Sequence, residues 1–177
     1  IVRDLDPGHV QPFLDKGAAF GESPKAMAEA CDVIITCLPS PAISAAVMEG
    51  EDGILAGLTP GTIWAEMSTT HAEEVKRLGA LVTAKGGEAV DCPVSGGCHR
   101  AATGNIAILA GCSRPIFEKI LPVLTMMGRR ILHTGDLGTA SVLKVMTNYL
   151  ATANLLTLCE ALVTSKAAGM DLNTTFE

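Results

Sequence analysis

The sequence predicts an α/β fold: a largely parallel sheet with helices on both faces, followed by one long helix and no further strand. Three observations predict it. Short β-branched runs alternate with helical stretches as far as Leu132, the order that lays crossover helices on a parallel sheet. The run Asp32 to Leu38 is apolar without period-two alternation, as in a strand covered on both faces. After Gly138 no strand pattern recurs, and apolar residues continue to Ala168.

Each element follows from local signals. Ile1 to Asp4 reads as a strand ending in an acid, and Pro7 to Lys16 as a helix that Gly17 ends. Ala18 to Phe20 is a brief strand. Ser23-Pro24 is a cap followed by a first-turn proline, opening a helix to Ala30. Asp32 to Leu38 is the clearest strand, broken by Pro39-Ser40-Pro41 before a helix to Met48. Thr62 to Met67 is a strand, and His71 to Lys85 is a helix with Thr69 or Thr70 as its cap. Ala89 to Asp91 is a strand that feeds a Ser-Gly-Gly loop. Asn105 to Ala110 is the next strand, Ser113-Arg114-Pro115 opens a helix through Met126, and Arg130 to Leu132 is the last strand. A helix from Thr139 to Ala168, with Gly169 just beyond it, is long for a globular domain and suits a spine between domains. Asp171 then caps one more helix. The boundary falls between residues 1–134 and 135–177.

Composition narrows the function. Hydrophobic residues make up 48% of the 177 and charged residues 18%, enough apolar material for a filled core. The net charge is −6 and no Lys/Arg block occurs, which argues against nucleic acid or an anionic membrane surface as partner. Aromatics, at 3%, are too few for base-stacking platforms. The six cysteines form no C-x-x-C pair and read as reduced thiols of the interior, without a metal site. No signal peptide or uninterrupted apolar span appears, so a cytoplasmic protein is expected.

Lys144 is the first candidate for chemistry. It lies in the apolar run Leu137 to Leu162, which reads as a mostly buried helix, with Asn148 one turn further on the same face. A desolvated lysine with a lowered pKa can donate a proton near neutral pH. The same residue could instead carry its charge to the surface along its alkyl stem. Upstream, Ser95-Gly96-Gly97 follows a predicted strand and offers a hydroxyl and exposed backbone N–H groups, a cradle for a carboxylate. Leu38-Pro39 and Ser68-Thr69 also follow strands. His99 and Arg100 could line the pocket mouth and bear on selectivity; His133, without partners, reads as structural.

Three segments resemble the β-hydroxyacid dehydrogenases, the family of 3-hydroxyisobutyrate dehydrogenase and tartronate semialdehyde reductase. They are Asp91-Cys92-Pro93-Val94-Ser95-Gly96-Gly97 with Ala101 and Gly104 behind it, Gly135-Asp136-Leu137-Gly138-Thr139-Ala140 leading to Lys144 and Asn148, and Asp32 to Pro39 with Met67-Ser68-Thr69. The resemblance implies a Rossmann-like domain and NAD(P)-dependent interconversion of a short 3-hydroxy acid and its semialdehyde. It implies that Lys144 moves the proton, that Asn148 holds Lys144 or the substrate, and that Ser95, Gly96 and Gly97 bind the substrate carboxylate. Leu38, Pro39 and Thr69 would contact the cofactor. Asp4 would bond the adenosine ribose, which favours NAD; adjacent Arg3 keeps NADP as the second option. Asp4 could equally cap the Pro7 helix.

The chain departs from the family pattern. It starts at what should be the second strand, contains no G-x-G-x-x-G pyrophosphate turn, has Ala140 where the lysine motif has a glycine, and stops before most of the helical C-terminal domain. The expectation is a fragment of low activity whose open strand edges and apolar helix favour a homo-oligomer, a dimer built on that helix. The competing reading is a non-catalytic oligomerisation module derived from a dehydrogenase. Imine reduction is disfavoured by Lys144, and a sugar-phosphate substrate by the absence of a basic cluster beside the Ser-Gly-Gly loop.

Overall fold

Serine and aspartate caps start the first helices where the sequence places them. In this computed structural model, which describes residues 1–177, Asp6 accepts from the Gly8 amide at 2.8 Å and opens α1 (Pro7–Leu14). Ser23 accepts from Ala26 and opens α2 (Pro24–Ala30), and Ser40 accepts from Ile43 and opens α3 (Pro41–Glu49). A single turn, α4 (Ile54–Gly57), packs against α2 and carries no cap or periodic signal that the sequence could betray. The cap of α5 (Ala72–Ala84) is His71 by backbone geometry, with no side-chain bond, so neither Thr69 nor Thr70 plays that part.

The strands are β1 (Val33–Thr36), β2 (Ile63–Glu66), β3 (Glu88–Asp91), β4 (Val94–Ser95), β5 (Ile106–Gly111) and β6 (Gly128–Gly135). β1, β2 and β3 run parallel, as do β5 and β6. β3 and β4 both meet β5 in the antiparallel sense, so the sheet is mixed. β4 and the short helix α6 (Cys98–Ala102) lie in the stretch read from sequence as a plain loop. Residues 1–4 form no strand: Val2 makes one bridge to Phe20, and nothing pairs either segment with the sheet.

Alternate side chains of the strands feed two cores, which is why the strands lack polar alternation. One face carries Ile34, Trp64 and Ala89 against Ala28, Met48, Ile54, Leu78 and Val82. The other carries Ile63, Ala65, Met67, Val90 and Ile108 against Phe117, Ile120 and Leu124 of α7 (Arg114–Met127). β1 is the exception: it lies at the sheet edge, and Ile35 is 38% exposed on its open face, so it is covered on one side and not two.

Two helices end the chain, α8 (Thr139–Ala167) and α9 (Leu172–Phe176), the latter capped by Asp171. Only the first turn of α8 is buried, at Ala140 and Ser141. Beyond it Tyr149 is 72%, Leu150 60% and Leu156 62% exposed, so the helix read as mostly buried presents its apolar residues to solvent. Apolar periodicity reports that a surface gets covered, and not by which chain. No helix is long and apolar enough to cross a membrane. All six cysteines are free; Cys92 and Cys112 are interior, whereas Cys37, Cys98 and Cys159 are exposed.

Candidate active site

Parallel pairing sets Thr36, Glu66 and Asp91 side by side at the carboxyl ends of β1, β2 and β3, all buried. Each polar group there has a task. The Trp64 Nε1 donates to Thr36 Oγ1 at 2.9 Å. The Ser68 amide donates to Glu66 Oε1 at 2.8 Å, and Ser68 Oγ accepts from the Leu38 amide at 2.7 Å. This relay fixes the turns after β1 and β2, leaving Pro39 and Thr69 exposed and Leu38 half-buried at the surface where ligands of parallel sheets bind. Glu66 Oε2 is buried with no partner.

Asp91 is fully buried and reaches out of the sheet. Its Oδ2 accepts from the Ser141 amide and its Oδ1 from Ser141 Oγ, both at 2.7 Å. The carboxylate thus caps α8 from β3, where the positive end of the helix dipole favours it. Burial nevertheless raises its pKa, with Glu66 adding to the rise, while the Ser141 bonds oppose it. Gly111 seats the same turn: a Cβ there would stand 3.0 Å from the Asp136 carbonyl and 3.1 Å from the Ala140 amide nitrogen.

Lys144 follows Ser141 by one turn, and Ser95 follows Asp91 by four residues, so one carboxylate ties the start of the lysine helix to the start of the Ser-Gly-Gly loop. Lys144 is half-buried and forms no ion pair, and burial lowers its pKa from the ordinary lysine value. Asn148 is exposed and makes no hydrogen bond to Lys144. Ser95 and Gly96 are half-buried and Gly97 exposed, with φ of +138° at Gly96 and +81° at Gly97. An apolar cavity of about 220 Å³ adjoins this loop, lined by Val94, Ala101 and Ile106 and, from the ends of β1 and β2, by Cys37 and Met67.

Asp4 stands apart from the strand ends. It accepts from the Asp6 amide at 2.9 Å, so Asp6 and not Asp4 caps α1. Asp4 lines a cleft of about 410 Å³ with Arg3, Leu5, Val10 and Phe20. Within that cleft Arg3 lies over the Phe20 ring, and its Nη1 donates to the Gly21 and Glu22 carbonyls. His133 stacks on Phe117 with centroids 4.6 Å apart and bonds the Cys112 carbonyl, which accounts for it structurally. The roles of Asp91, Ser141, Glu66 and Ser68 were missed in the sequence. Asp91 and Ser68 stand inside the quoted motifs, but nothing in a linear pattern tells which buried acid reaches which helix.

Comparison with known proteins identifies the family and the fold. Residues 1–135 match the family model described as the NAD binding domain of 6-phosphogluconate dehydrogenase. The chain is 36% identical over 94% of its length to 2-(hydroxymethyl)glutarate dehydrogenase of Eubacterium barkeri, covering 56% of that protein. It is 33% identical over 97% of its length to a probable 3-hydroxyisobutyrate dehydrogenase, mitochondrial, of Dictyostelium discoideum, covering 53% of it. The chain therefore spans about half the length of these curated relatives. The structure of Mycobacterium tuberculosis 3-hydroxyisobutyrate dehydrogenase with L-serine superposes with a TM-score of 0.86 at 29% identity, over 95% of this chain and 57% of that one.

Proposed function

The chain belongs to the family of the 6-phosphogluconate dehydrogenase NAD-binding domain, within the β-hydroxyacid dehydrogenases, and on that premise we propose that it serves NAD-dependent oxidation of a short 3-hydroxy acid, or reduction of the matching semialdehyde. The single observation that supports this reading is the Asp91–Ser141 link, which joins the start of the lysine helix to the end of the strand that leads into the Ser-Gly-Gly loop.

Lys144 is the proton-transfer residue in this reading. A half-buried ammonium with no counterion, its pKa lowered by burial, gives up its proton more readily than a solvated lysine. Ser95 Oγ and the Gly96 and Gly97 amides hold the substrate carboxylate, and Asn148 orients the hydroxyl end. Asp4, in its cleft, fits adenosine ribose hydroxyls and supports NAD, while Arg3, which lines the same cleft, keeps NADP as the second option. Leu38, Pro39 and Thr69 contact the cofactor at the strand ends. The nicotinamide, when bound, supplies or takes the hydride.

Residues 1–134 serve as the dinucleotide-binding unit and 135–177 as the interdomain helix with the start of a helical domain. The exposed apolar side of α8 supports a homodimer, which light scattering on the protein tests directly; a monomer at micromolar concentration would overturn it. Six free thiols suit a reducing compartment, the cytoplasm in this reading.

The deciding experiment is Lys144→Ala assayed by nicotinamide absorbance with 3-hydroxy acids. The expected loss in kcat is about 10²- to 10⁴-fold, the usual contribution of a positioned acid or base. Undiminished turnover in that variant would remove the proposal.

A further inference from the structure

We propose that the site takes a hydroxy acid bearing a second carboxylate, and that Arg100 selects for it. The inference rests on reading Ser95-Gly96-Gly97 as the carboxylate cradle. At Gly96 the side-chain position is already crowded, and at Gly97 a side chain would just touch its neighbour. A Cβ on Gly96 would stand 3.0 Å from Arg100 Cδ and 3.4 Å from Arg100 Cβ, and one on Gly97 would stand 3.5 Å from His99 Cε1. The helix α6 turns the chain back so that the Arg100 stem lies across Gly96 and the His99 ring beside Gly97. Gly96 is thus what lets a cation pack closely against the cradle backbone.

The charge of Arg100 is unspent. Its guanidinium makes no hydrogen bond or salt bridge, as with Arg129 and Arg130 and unlike Arg3, Arg77 and Arg114. No Asp or Glu occurs between Asp91 and Glu118, in a chain whose net charge is −6. An unneutralised cation in an otherwise acidic protein makes the loop a local attractor for anions.

The other side of the loop is closed to charge. The cavity of about 220 Å³ that Val94, Ala101 and Ile106 share with the strand ends is lined by apolar side chains alone, room for a carbon skeleton and not for a carboxylate. With one carboxylate on the cradle, a second acidic group has the Arg100 side to go to. A lone planar guanidinium pairs two-pronged with a carboxylate. A phosphate dianion gains most where several permanent cations converge; the loop itself carries one, and Arg129 and Arg130 stand two strands away across Ala107, which is why phosphate is included as a competitor.

The test compares 3-hydroxyisobutyrate with 2-(hydroxymethyl)succinate, in which a carboxymethyl group replaces the methyl, by calorimetric titration, with inorganic phosphate as a competitor. The dicarboxylate is expected to bind about tenfold or more tightly, the worth of one charge-assisted pair. Arg100→Gln should erase that preference and Arg100→Lys keep part of it; Arg100 is exposed, and thermal unfolding of each variant checks that it folds. Binding of both acids without preference, or a preference that survives in Arg100→Gln, overturns the Arg100 inference and leaves the cradle standing. Phosphate displacing the dicarboxylate at lower concentration than the dicarboxylate itself requires overturns the assignment to a carboxylate. Binding of neither acid removes the cradle reading, and this inference with it.

Discussion

Asp91 and Ser141, fifty residues apart, are joined by two hydrogen bonds of 2.7 Å, one to the backbone amide and one to the hydroxyl. The serine is the last buried residue of α8, and the helix beyond it has little of this chain to rest on. The position of Lys144 therefore depends on this pair and on the tight seat at Gly111.

Ser141→Ala should cost about 1–2 kcal/mol, since it removes one bond to a charged group and leaves the amide bond in place. Asp91→Ala leaves two donors of the α8 start unpaired in the interior and should cost about 3 kcal/mol or more. Both are read by denaturant unfolding. In Ser141→Ala, kcat should fall while substrate affinity holds, because the helix start moves and the Ser-Gly-Gly loop does not.

Stability should depend on pH through Asp91 in the direction opposite to a salt-bridged acid. Its folded pKa is raised, so between the ordinary aspartate value of about 3.9 and that raised value the folded state holds more protons than the unfolded. Its contribution is complete below the ordinary value and declines as pH rises through the window, then stays level. The unfolding free energy of the wild type minus that of Asp91→Asn should fall as pH rises across that range; a rise contradicts it.

Lys144 should leave its mark on the pH–rate profile. Burial lowers its pKa, so the protonated form that donates in semialdehyde reduction is lost as pH rises through a value below the usual lysine range. Reduction should slow above that point, and oxidation, which needs the free amine, should speed up to it. Steady-state kcat in both directions, with a shared inflection absent from Lys144→Gln, is the measurement.

Glu66→Gln should make Cys37 more reactive. Partial desolvation of the sulfur first, on a residue otherwise open to solvent, and the Glu66 charge second, raise the Cys37 thiol pKa. Removing the charge should speed iodoacetamide labelling of Cys37 by roughly twofold or more at fixed pH, since the thiolate is the attacking form. Cys98 and Cys159, exposed and remote in sequence, serve as internal references in peptide mapping.

Much of the fold was legible because its signals are local. Ser23-Pro24, Ser40-Pro41 and Asp171 are caps that a few residues specify, and Ile63–Glu66 and Ile106–Gly111 are apolar runs of strand length. The family was legible for a different reason, since Asp91 to Gly97 and Gly135 to Asn148 are fixed-spacing motifs. Val2 was misread as part of a strand because a strand exists only by its partners, and Val2 finds one bridge.

The sequence by itself determined the α/β order, the helix starts, the Ser-Gly-Gly loop and the identity of the candidate lysine. Only the tertiary structure decided that Asp91 caps the lysine helix, that Glu66 stands buried beside it, that Arg100 lies across Gly96, and that α8 is apolar yet uncovered in this chain. The physical reason is one of range. Caps and periodicities act over a few residues, whereas a buried carboxylate finds its donor, and a cation its neighbour, through space that the linear order does not encode.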